Sequence, residues 1–171
     1  MKHNYRIFLI SILFYFGCSK EQAVLFSETL EVDFTIPAGL NTIETHTFII
    51  KNIQTQFLNQ CAIHGIDPQN VQEIFSTFGS FQGKFESVDY SSLSKVQVNA
   101  VSATDNSIKG EMYYHEMLPF NTTTELKLLS STTNLINILK DETFHLEIKL
   151  NFKSFPVKST VTRFKLGYAV R

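Results

Sequence analysis

The chain has no tryptophan, only two cysteines and four prolines, and seven glycines in 171 residues. Two cysteines cannot build the disulfide framework of a small secreted scaffold, so a folded domain here must rest on its core. Cationic residues are not in excess: 15 Lys and Arg stand against 16 Asp and Glu. That balance excludes the clustered positive charge that nucleic-acid phosphates demand, and no nucleic-acid partner is expected. The longest apolar run, Ile7 to Phe16, has ten residues with only Ser11 polar, well short of the ~20 that a membrane-spanning helix needs. There is no internal repeat at a fixed period and no low-complexity tract. Strands and helices do not alternate as a parallel sheet requires.

The motifs of catalysis are missing too. No G-x-S-x-G elbow, H-E-x-x-H, C-x-x-C or phosphate-cradling glycine loop occurs. The nearest string, Phe78-Gly79-Ser80-Phe81-Gln82-Gly83, has its glycines at the wrong spacing. No catalytic residue, metal or cofactor is therefore assigned.

What is present begins with Met1 to Cys18. Lys2 and Arg6 give a basic start, the ten-residue apolar run follows, and Gly17-Cys18 comes directly after it. This is the layout of an export signal. The Gly-Cys ending resembles the lipobox of bacterial lipoproteins, although Tyr15 stands where Leu is typical and Phe16 is bulkier than the usual small residue. The resemblance implies cleavage after residue 17, lipid attachment at Cys18, and an exported protein. Such a protein would be anchored in the cell envelope, on the periplasmic side or at the cell surface. The expected division is a signal peptide over 1–17, a tether over 18–28 and one domain over 29–171. Removing residues 1–17 from 171 leaves 154, with 13 basic against 16 acidic residues and a net charge of −3. A lipidated Cys18 would leave Cys61 alone in an apolar-patterned stretch, where it reads as a buried structural thiol.

Beyond residue 29 the dominant period is two. Leu30, Val32, Phe34 and Ile36 alternate with Glu31, Asp33 and Thr35, which predicts a half-buried antiparallel strand. Further extended stretches are expected at 42–53, 75–85, 96–100, 108–115, 125–129, 144–152 and 163–170. In the third strand Phe75, Thr77, Gly79, Phe81, Gly83 and Phe85 fall on alternate positions, with the glycines making room for rings or marking a bulge. Helical signals are few. Thr55 is a candidate N-cap for a helix closed by Gly65, Asp67-Pro68 opens a shorter one, and residues 134–140 carry apolar side chains at helical spacing. The last two strands, Phe144 to Phe152 and Phe164 to Val170, are expected to form a hairpin that places Glu147 opposite Arg163 or Lys165.

About seven to nine short strands with turns between them predict an all-β fold. The expected architecture is a two-sheet antiparallel β-sandwich, immunoglobulin-like or similar, with one or two short helical inserts; a barrel is the main alternative.

Three His–carboxylate pairs stand out: Glu44 with His46, His115 with Glu116, and His145 with Glu147. Each is explained as well by polar residues on strand faces, and none has metal-site spacing. For binding, the aromatic run Tyr113, Tyr114 and His115 at a strand end is the candidate edge, flanked by Met112, Met117 and Phe120. The function that follows is a lipid-anchored envelope protein, a non-catalytic binding or assembly module with an envelope protein or ligand as partner. The alternatives are an envelope hydrolase with loop-borne residues, or a carbohydrate- or lipid-binding module. Lack of Trp weighs against sugar platforms.

Overall fold

A computed structural model describes residues 23–116 and 124–171. Cys18, the signal stretch and the Met117–Phe120 flank of the candidate edge lie outside the described residues. Eight strands run as β1 Phe26–Ile36, β2 His46–Gln54, β3 Ile74–Gly83, β4 Leu93–Ser102, β5 Lys109–Glu116, β6 Glu125–Ser130, β7 Thr143–Phe152 and β8 Thr160–Val170. Two short helices, α1 Phe57–His64 and α2 Ile136–Leu139, interrupt them, with a 3₁₀ turn at Pro68–Asn70. The strand content matches the period-two reading. β1 begins earlier than its strict alternation, taking in residues 26–28 of the expected tether, and Phe26 joins the core.

All eight strands form one antiparallel sheet in the order β1-β8-β3-β6-β5-β4-β7-β2, where two separate sheets were expected. The sheet curls until it is nearly a closed barrel. Among the described residues its two halves are joined by two residue pairs between β5 and β6, Tyr113 with Ser130 and Tyr114 with Leu129. On the other side the edge strands β1 and β2 face each other without pairing, and the rings of Phe34 and Phe48 meet across the seam at 5.7 Å.

The abundant phenylalanine fills this interior. From Phe34 the ring contacts continue to Phe81 at 5.3 Å, Phe164 at 5.0 Å and Tyr113 at 5.7 Å, mostly edge to face. That geometry places positive ring edges on negative faces and adds to the burial itself. Opposite them, Phe144, Leu146, Ile148 and Leu150 of β7 are fully buried, as their alternation requires.

The expected hairpin between the last two strands does not form. β7 lies between β4 and β2, while β8 lies between β1 and β3. The loop 153–159 therefore arches from one half of the sheet to the other. Arg163 and Lys165 consequently meet the acids of β1: Arg163 reaches Asp33 at 3.2 Å and Glu31 at 3.5 Å, and Lys165 reaches Glu31 at 3.4 Å.

Because every neighbouring pair is antiparallel, β1, β3, β5 and β7 run one way and the even strands the other. This gives the barrel two unlike ends. One end carries the loops 37–45, 84–92 and 153–159. The other carries both helices, the 3₁₀ turn, the start of β1 and the C-terminus. The helical end is tied down by specific bonds. The Tyr168 hydroxyl donates to Thr55 O at 2.5 Å, the Thr55 hydroxyl donates to Asp141 O at 2.6 Å, and Gly65 closes α1 at φ +65°. Thr55 thus ties α1 to the neighbouring loop, and Gln56, in left-handed conformation, takes the N-cap position. Asp67 caps the 3₁₀ turn by accepting from Gln69 N at 3.0 Å, as its place before Pro68 predicts. Cys61 is buried against this end, which pushes its thiol pKa up.

Candidate functional site

Two regions gather features that the core does not require. The first is the loop end. Main-chain bonds join its loops: Gly39 N donates to Pro156 O at 2.9 Å and Lys153 N to Ser92 O at 2.8 Å. Ala38 N donates to the Ser159 hydroxyl at 3.0 Å, and the Lys158 ammonium meets Glu86 at 2.8 Å. On this laced frame sit apolar side chains with no burial to justify them: Val157 is 93% exposed, Ile43 91%, Phe85 78% and Phe155 61%. Between loops 84–92 and 153–159 lies a depression of about 260 Å³, with Phe155, Pro156 and Val157 on one side and Asp89, Ser91 and Ser92 on the other. Phe155 and Val157 share the wall of that depression, the pair here that could offer an apolar contact surface.

The second region is the outer face of β4, β7 and β2, centred on Glu147. Its carboxylate accepts from Lys109 Nζ at 2.9 Å and Asn99 Nδ2 at 3.1 Å, and Lys149 Nζ lies 3.1 Å away. These donors, the Lys109 bond first, hold its pKa down to about 2 against the partial burial that opposes them. A carboxylate so held stays ionised at neutral pH and has no proton to give as a general acid. Beside it a second depression is lined by Ile49, Lys51, Val101, Asn106, Lys109 and His145. His145 Nδ1 accepts from the main-chain N–H of Asn52 at 3.1 Å. Lys109 and Lys149 are both engaged by Glu147, so this cluster is largely self-satisfied.

The structure separates the predicted edge residues. Tyr113 is fully buried and its hydroxyl donates to Gly167 O. Burial pushes its pKa far above the usual phenol range. Tyr114 and His115 are half-buried neighbours that alternate across the strand, so the three make no common surface. His115 Nδ1 contacts Glu116 O at 3.1 Å, and Lys95 meets the Glu116 carboxylate at 2.6 Å. The Glu44–His46 pair is absorbed into the β1–β2 loop, where Asn41 bonds both: its amide donates to Glu44 at 3.1 Å, and its carbonyl lies 2.9 Å from His46 Nε2. Among the described residues no three His, Cys, Asp or Glu side chains converge as a metal site.

Sequence reasoning missed Ile43, Phe85, Phe155 and Val157. Phe155 and Val157 carried a signal, as apolar residues in the segment between the last two expected strands, whereas Ile43 and Phe85 fell inside the expected stretches 42–53 and 75–85 and the structure places them in loops instead. It also missed Lys109 and Asn99 as partners of Glu147, because that depends on which strands adjoin β7.

The fold and these two regions define an all-β antiparallel domain, a nearly closed eight-stranded sheet with one helix-capped end and one loop end. No protein-family model matches the chain, and comparison with curated proteins gives no match.

Proposed function

We propose that the protein is a lipid-anchored cell-envelope protein held by Cys18, and that its barrel is a non-catalytic binding or assembly module. What supports this reading most is the polarity of the barrel. β1 starts at the helical end, so the chain that would carry the anchor enters the barrel there. The loops with Ile43, Phe85, Phe155 and Val157 lie an eleven-residue strand away, roughly 36 Å at ~3.3 Å per residue. An N-terminal lipid then leaves the loop end free to meet an envelope partner or ligand.

The test is intact mass and detergent partitioning of the full-length protein beside Cys18→Ala. A lipid-sized mass increase with membrane partitioning, both lost in the variant, supports the anchor. A wild type that is cleaved without added mass and remains in the aqueous phase sinks it.

A further inference from the structure

We propose that His145 is a proton-operated latch on edge strand β2: neutral, it holds the bulge at Asn52 closed, and protonated, it releases it. β2 has a neighbour on one side only, β7. Their regular partners stop at Ile50 with Leu146 and resume at Ile53 with Phe144, so Lys51 and Asn52 together oppose His145. Two residues against one is a bulge, which disrupts the ladder locally. Asn52 also stands at φ 58°, a left-handed conformation that a non-glycine residue keeps only when its surroundings hold it there.

The holding group is the imidazole. Asn52 N–H points at His145 Nδ1, 3.1 Å away. An amide N–H only donates, so Nδ1 must be unprotonated and the ring's single proton resides on Nε2. Adding a second proton turns Nδ1 into a donor facing a donor. The bond cannot survive that change.

The groups around the ring fix what else could respond. Glu147 faces it from β7, Lys51 from β2 and Lys109 from β5, with Asn106 at the β4–β5 turn and Val101 opposite on β4. Lys149 joins from further along β7 through its ion pair with Glu147. Glu147, held near 2, keeps its charge through mildly acidic pH.

The test follows two signals of the ¹⁵N-labelled full chain across pH: exchange protection of the Asn52 amide and the ring nitrogens of His145. The expected result is an approximately tenfold fall in Asn52 protection, the size expected for one lost hydrogen bond. Its midpoint should coincide with the His145 titration, while Thr47, on the same edge strand, stays level. His145→Gln keeps a side-chain acceptor that does not titrate, and the fall should vanish in it. Asn52 protection that is unchanged across the His145 midpoint overturns the latch, and so does a fall that persists in His145→Gln. The wild-type comparison of midpoints decides the matter even if the variant does not fold.

Discussion

The hydroxyl of Tyr113 on β5 donates to the main-chain carbonyl of Gly167 on β8, the residue facing the bulge in β3. β3 pairs with β8 at Ser76 with Tyr168 and at Gly79 with Leu166, which leaves Gly167 without a β3 partner between them. A side chain from the far half of the barrel thus serves where the ladder is interrupted. Tyr113→Phe should cost about 1–2 kcal/mol, the range for a buried hydrogen bond whose acceptor stays buried. The check is the midpoint of urea unfolding at unchanged slope.

The same ring requires Gly79. A methyl group there would lie 2.9 Å from two carbons of the Tyr113 ring, closer than carbon atoms pack. Gly79→Ala should destabilise by about 1–3 kcal/mol, as overpacking does. Combining it with Tyr113→Ala, which removes the ring, should make the glycine change nearly silent in a double-mutant cycle.

Glu147 makes a pH prediction whose sign is fixed. Its folded pKa is depressed from 4.5 to about 2, so its contribution is fully present above pH ~4.5 and is lost as pH falls towards 2. Glu147→Gln should lower stability by ~1–2 kcal/mol at pH 7, since it discards the ion pairs with Lys109 and Lys149 in a mostly buried place. The difference between variant and wild type should shrink through that window. Unfolding curves taken from pH 6 to pH 2 measure it.

Adjacent positions on β8 should give opposite results. Phe164 is fully buried and packs edge to face against both Phe81 and Tyr113, so Phe164→Ala should cost about 3–5 kcal/mol. Arg163 is half-buried on the outer face, and although it meets two acids of β1, Arg163→Gln should cost under about 1 kcal/mol. Thermal unfolding of the two variants separates burial from surface charge on one strand.

Gly65 stands at φ +65° as the last link of α1, donating to Ala62 O while Ile66 N donates to Cys61 O at 2.9 Å. Nothing crowds a methyl group there, so the penalty of Gly65→Ala is purely conformational, roughly 1 kcal/mol. Loss of amide protection confined to α1 would show that the cap acts locally.

Alternation made most of the eight strands visible, because a buried face writes itself into every second residue, while the 42–53 run was legible only from its Thr and Ile content. It did not reveal their neighbours. The β7 and β8 patterns each specify a face turned inward, and an inward face suits a hairpin and an arch across the barrel equally. The loop 153–159 is too long to dictate a hairpin by turn geometry, and the core decides instead. Bulges were the second blind spot. In β5 the register slips between Val98 with Tyr113 and Asn99 with Glu111, so Met112 and Tyr113 both turn inward. That slip removes Tyr113 from the surface where strict alternation had placed it. In β3 a slip between Ser76 and Gly79 likewise moves the inward set from Ile74 and Ser76 to Gly79 and Phe81.

The pairing of β1 with β8 carries a consequence for how the chain acquires its shape. Phe26 is matched to Val170 and Ile36 to Thr160, so the first strand has no partner until the last has been made. β3 pairs with β6 as well, but its longer ladder also waits on β8. Contacts this distant in sequence carry a high loop-closure cost before they repay anything, which places the chain among slow folders. A nascent or threading chain therefore has no half-barrel to fall into from its N-terminal side. Removing the last eleven residues strips β1 of its only ladder and β3 of one of its two, so the C-terminal segment acts as the final stave that draws the barrel together.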